Sequence, residues 1–131
     1  MSITGECFCG QVSYQLDGKL FDGISCHCSR CRKAFNAQAS ASARVNANEF
    51  KWLTGEGLLS SYVGKQGFGL QFCKTCGSTL ATIYQGEIFQ LTLGCVDGQP
   101  DIEIGKHIYV DSRARWEIMP LVENQFPEGP Q

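Results

Sequence analysis

Residues 26 to 35, CHCSRCRKAF, gather three cysteines, one histidine and three basic side chains into ten consecutive positions. Thiolates and imidazoles at this density point to a bound metal ion before any other chemistry. The number of ligands decides what that ion can do. Four protein ligands close a zinc site and make it structural, whereas three leave a coordination position free for chemistry. The whole chain holds eight cysteines: Cys7, Cys9, Cys26, Cys28, Cys31, Cys73, Cys76 and Cys95. A disulfide framework fits them poorly, because no secretory leader opens the chain and its length supports a core without staples. Cys-x-Cys also occurs twice, and a disulfide closing so small a ring would be strained. Zinc is the leading ion; iron–sulfur ligation is the minor alternative.

The cysteines sort into two sets. GECFCG supplies Cys7 and Cys9, and FCKTCGS supplies Cys73 and Cys76. In an extended segment residues i and i+2 share a side, so Cys7 and Cys9 can grip one ion. Cys73-x-x-Cys76-Gly77 reads as a zinc knuckle, with glycine permitting the tight turn. The two half-sites make one closed site of four thiolates. Cys26 and Cys28 likewise share a side, with His27 pointing the other way, and Cys31 can curl back to the same ion. This second set has no obvious fourth local ligand. His27, His107 or Cys95 could fill that place and close the site; otherwise it is open. Cys95 ends IFQLTLGC, where Phe89, Leu91, Leu93 and Cys95 alternate, and reads as a core thiol.

Positioning these ligands requires a mostly β scaffold. VSYQL alternates Val12, Tyr14 and Leu16, and QASASARV alternates Ala39, Ala41, Ala43 and Val45 onto one expected face. LLSSYV, GFGLQFC, TLATIY and EIFQLTLGCV follow, separated by glycine-rich breaks. Ser29 to Phe35 is expected to form one short helix. A single domain spans residues 1–131, its core over about 5–118, with a polar tail at 119–131 expected to fray. The apolar fraction of 43% and charged fraction of 18% are globular values. A net charge of −2 argues against a nucleic-acid or membrane-surface binder. No apolar run approaches a membrane span, and the expectation is a cytoplasmic protein.

GECFCGQVSY, CHCSRCRKA, FCKTCGSTL and GKHIYVDSRARW resemble, in that order, the glutathione-dependent formaldehyde-activating enzyme family, which includes centromere protein V. The resemblance covers roughly residues 5 to 118. It implies a β-tent fold of antiparallel sheets with two zinc ions per chain. It further implies that Cys7, Cys9, Cys73 and Cys76 hold a structural ion, and that Cys26, Cys28 and Cys31 hold a catalytic one. Where the family usually carries glycine after the third catalytic cysteine, this chain has Asn36 nearby, a residue that tolerates the left-handed backbone.

The activity the resemblance implies is a carbon–sulfur lyase or synthase reaction joining glutathione to formaldehyde. A thiol bound to zinc would be held as thiolate at neutral pH, ready to attack the aldehyde. Arg30, Arg32 and Lys33 are candidates to meet glutathione's carboxylates, and equally form an ordinary solvated face. His27 is a weak candidate for substrate contact. His107 and Trp116 read as core packing. The alternatives are a small-thiol carrier without catalysis and a structural zinc domain for macromolecular interaction.

Overall fold

The computed structural model describes residues 2–118 and 124–130. In chain order the described elements are β1 (Ile3–Glu6), β2 (Ser13–Leu16), β3 (Phe21–Cys26), α1 (Ser29–Phe35), β4 (Ser42–Arg44), β5 (Phe50–Thr54), β6 (Leu59–Val63), β7 (Phe68–Cys73), β8 (Thr79–Tyr84), β9 (Glu87–Thr92) and β10 (Lys106–Ile108). They form a three-stranded sheet, β1-β2-β5, and a seven-stranded sheet, β10-β3-β4-β9-β8-β7-β6. The strand pairings are antiparallel except at one edge, where β10 runs parallel to β3. The fold is mainly β with one short helix, as the sequence implies. None of the described helices is long and apolar enough to cross a membrane.

Side-chain alternation builds the core. Along β2, Tyr14 and Leu16 are buried while Ser13 and Gln15 are not. They pack with Val12, Ala43, Val45, Leu80 and Leu91, so one face of the small sheet closes on one face of the large one. Each fully buried leucine contributes on the order of 1.5–3 kcal/mol. The Tyr14 ring lies 5.2 Å from Phe50 and edge-on to Trp52 at 6.1 Å. It also packs directly over Gly5, where any Cβ would collide with it.

Several elements differ from expectation. The regular part of QASASARV is only Ser42–Arg44, and Ser40 and Ser42 are buried while Ala41 is exposed. Ser40 escapes the usual cost of burying a hydroxyl because it accepts a hydrogen bond from the Cys26 N–H at 3.1 Å. Strand β9 ends at Thr92. Leu93–Cys95 is a single 3-10 turn, so the alternation expected through Cys95 stops there. The tail expected to fray falls partly on residues 119–123 and 131, which lie outside the described residues. Its residues 124–128 hydrogen-bond along β10: His107 N–H to Asn124 O at 2.8 Å, Phe126 N–H to His107 O at 2.8 Å and Tyr109 N–H to Glu128 O at 2.7 Å.

Helix α1 has the bounds the sequence predicts, and its caps explain them. The Cys28 sulfur accepts from the Cys31 N–H at 3.3 Å and caps the start. Asn36 ends the helix in the left-handed region, at φ 54 and ψ 46. There it takes the place of the usual C-terminal glycine.

Candidate metal centres

Cys7 and Cys9 lie in the turn that follows β1. Cys73 ends β7, and Cys76 lies in the turn into β8. Their four sulfurs all fall within 4.8 Å of one another. Cys9 Sγ is 3.5 Å from Cys7 Sγ and 3.8 Å from Cys73 Sγ. A tetrahedron with metal–sulfur bonds of about 2.3 Å has edges of about 3.8 Å, so the donor set fits zinc. The first pair does not converge by strand alternation, as the extended reading had it. A turn brings its sulfurs together, closed by Gly10 N–H to Cys7 O at 3.0 Å. The second pair is a knuckle: Gly77 N–H reaches Cys73 O at 2.7 Å, with Gly77 at φ +83. Ser78 ties the two turns together, its hydroxyl accepting from Phe8 N–H at 2.8 Å. That hydroxyl, 3.4 Å from Cys76 Sγ, is the main influence holding the Cys76 thiol down to about 5.

The second cluster is Cys26, Cys28 and Cys31, again with all sulfurs within 4.8 Å of one another. Cys26 closes β3, Cys28 caps α1, and Cys31 sits inside that helix, so a strand end and a helix start converge on one point. Among the described residues no fourth histidine, cysteine, aspartate or glutamate joins them. Cys26 and Cys28 Sγ stand 3.5 Å apart, a separation that suits a shared zinc ion. The thiols divide their protons unequally. Cys31 is held down to about 6, first by its hydrogen bond with Cys26, against burial, and further by Cys28, Ser40 and the Arg30 charge. Cys26 is pushed up, first by that same hydrogen bond and then by burial.

His27 does not point at the cluster. It is 1% exposed, and both ring nitrogens are occupied. Nδ1 lies 2.9 Å from Glu117 Oε1, and Nε2 lies 3.0 Å from His107 Nδ1. Burial, followed by the neighbouring His27, holds His107 below the usual histidine range, with Glu117 opposing. These groups line a cleft of about 590 Å³ together with Ser25, Gln38, Ser40 and Trp116. Trp116 is 70% exposed at the cleft, not packed in the core as its type suggests. Glu117 carries no spacing signal in RARWEI, and sequence reasoning missed it.

The basic residues of α1 separate. Arg30 and Lys33 are exposed. Arg32 Nη2 donates to Ser112 O at 3.2 Å, which fastens the helix to the segment after β10. Arg32 and Lys33 also stand in the last turn, where positive charge complements the helix dipole. Cys95 stays apart from both clusters. It packs against the core, with Sγ 3.7 Å from Thr79 O, and burial pushes its thiol up to about 11.

Comparison with known proteins agrees with this geometry. A family model described as glutathione-dependent formaldehyde-activating enzyme matches residues 2–112. Similar solved structures include a crystal structure of a Rhodobacter sphaeroides protein, 25% identical, with a TM-score of 0.57. That match covers 77% of this chain and 96% of the other. No curated protein sequence matches the chain significantly.

Proposed function

We propose that this chain, which belongs to the glutathione-dependent formaldehyde-activating enzyme family, joins a small thiol to formaldehyde or a related aldehyde at the Cys26–Cys28–Cys31 cluster. The observation that carries the reading is the donor count: three converging thiols, with no fourth ligand among the described residues. Cys7, Cys9, Cys73 and Cys76 would hold a first zinc ion in a closed, structural site, and the triad a second. The second ion would supply an open position at which an incoming thiol is favoured as thiolate near neutral pH.

The chain's own residues then have defined tasks. The triad leaves a net charge near −1 once three thiolates meet a divalent ion, and Arg30, which favours the Cys31 thiolate, offsets it. Ser40 accepts from the Cys26 backbone and also favours the Cys31 thiolate, which ties the triad to the segment leading into β4. Arg30 and Lys33 are available to glutathione's carboxylates, whereas Arg32 is engaged at Ser112. In the net reaction the thiol gives up its proton and its sulfur bonds to the aldehyde carbon. The carbonyl oxygen takes up a proton, giving S-hydroxymethylglutathione from glutathione and formaldehyde.

The test is adduct formation measured above the spontaneous rate. Wild type should accelerate it and Cys28→Ser should not. In protein loaded with cobalt(II), glutathione should increase sulfur-to-metal charge transfer and S-methylglutathione should not. Thiol binding without acceleration would replace the enzyme by a carrier. No spectral response to any thiol would show a closed site and remove the basis of the reading.

A further inference from the structure

Glu117 lies beyond residues 2–112, the span that the family model matches, yet its carboxylate reaches the imidazole set between two of the triad's cysteines. A carboxylate oxygen accepts, so the proton of that bond sits on His27 Nδ1. In the neutral ring Nε2 is then an acceptor, facing His107 Nδ1 at 3.0 Å and the Ser25 hydroxyl at 3.4 Å, and His107 Nδ1 donates to it. His107 Nε2, on a residue lining the cleft, then carries the lone pair of that ring. The donor order along all three side chains is therefore set from Glu117.

The same contacts act on the backbone. His27 is the middle residue of Cys26–His27–Cys28, whose sulfurs are 3.5 Å apart. That separation depends on a few backbone dihedrals, and a side chain free to turn would loosen them. Here the ring is held at both nitrogens, and the His27 N–H is bound to Ile108 O at 2.9 Å. The ring is also buried, so releasing the Glu117 bond leaves Nδ1 inside the protein without a partner, whereas Nε2 keeps the Ser25 hydroxyl at 3.4 Å when His107 is removed. Movement of the segment is the remaining way to relieve that cost.

We propose that Glu117 and His107 are positioning residues of the thiolate triad: they clamp His27 so that Cys26 and Cys28 converge on one metal ion. This rests on the reading of the triad as a metal centre. Residues holding a metal's ligands from outside typically change its affinity by about 10–100-fold when removed, and the clamp acts at that remove, one residue from two ligands.

The experiment loads full-length wild type, Glu117→Ala, Glu117→Gln and His107→Ala with zinc. It measures the affinity of each ion by chelator competition, alongside thermal melts. Glu117→Ala should weaken the second ion by roughly tenfold or more and leave the first unchanged. Glu117→Gln, whose amide oxygen still accepts from Nδ1–H, should recover most of the loss, and His107→Ala should lose less than Glu117→Ala. Histidine nitrogen NMR adds a readout independent of affinity. Wild type should show protonated Nδ1 and bare Nε2 on both rings, a pattern lost in Glu117→Ala. Unchanged affinity for the second ion in Glu117→Ala overturns the proposal, as does equal loss of both ions with a collapsed melt. A wild type that binds one ion overturns the proposed function together with the clamp. Two ions and an intact clamp without any response to thiols would defeat the function alone.

Discussion

Cys76 and Cys28 are the same side chain in different company. Cys76 completes a set of four that joins two distant turns, whereas Cys28 belongs to a set of three confined to a strand end and the helix after it. Cys76→Ser should therefore cost folding, since structural zinc contributes on the order of 10 kcal/mol in small metal domains. Cys28→Ser should melt near wild type and lose only the second ion. Thermal melts paired with metal analysis check this, and equal loss of folding in both variants would make the second site structural. Cys95 differs again. Its thiol is raised above the ordinary 9.0 to about 11 by burial, then by charge at Cys7 and Cys76. A raised folded value means the native state binds the proton more tightly than the unfolded chain. The contribution is thus full below about pH 9 and is lost as pH rises through 11. The unfolding midpoint should fall across that window, and less so in Cys95→Ala. Iodoacetamide at pH 8 should leave Cys95 of the folded protein unmodified.

Helix α1 is one short element with two tasks, since it carries Cys31 and presents Arg30. Its end depends on Asn36 at φ 54. Asn36→Gly should be neutral, whereas Asn36→Val should destabilise by roughly 1–2 kcal/mol, because a β-branched residue is strained in the left-handed region. Urea melts would measure this, and the affinity of the second ion should fall with it. The bounds of α1 were legible because a cysteine at the cap and asparagine at the end are local signals. So were β6 to β8, whose runs are bracketed by glycine. Strand β10 was not legible, since three residues in GKHIYV carry no periodicity and their pairing with β3 is settled some 80 positions away. In QASASARV the expected face holds at Ala43 and Val45, which enter the core, and fails before β4, where Ala41 is exposed and Ser40 buried. Alanine beside serine alternates in hydrophobicity, but the hydrogen bond from Cys26 N–H to Ser40 holds that hydroxyl inside at the approach to β4.

At the scale of the molecule, the four-thiolate centre joins the two sheets. Cys7 and Cys9 follow β1 of the small sheet, and Cys73 ends β7 of the large one. Chelation should accordingly proceed in two stages. The ion with three protein bonds leaves first with little change in circular dichroism, and the ion with four leaves later with cooperative unfolding. A single-stage loss, or unfolding with the first ion, would contradict the assignment of roles. Both cysteine groupings could be read from spacing, because short ligand intervals constrain geometry without knowledge of the fold. Glu117 could not: it meets His27 across |i−j| = 90, through the placement of β10 and the segment beyond it.

The parallel pairing of β10 with β3 also has a consequence in time. All three cysteines of the triad leave the ribosome early, and β4 can flank β3 soon afterwards. The other flank of β3 stays bare until Lys106–Ile108 has been made, and Glu117 arrives later still. Domains assemble as synthesis proceeds, so the four-thiolate centre, complete at Cys76, should mature before the triad. On chains stalled through a C-terminal linker long enough to clear the exit tunnel, one ending at residue 100 should retain one ion firmly, and one extending past Glu117 should also bind the second tightly. Tight occupancy of the triad should thus wait on residues made after Lys106, and a chain that stops before them would carry its scaffold without the centre proposed to do the chemistry.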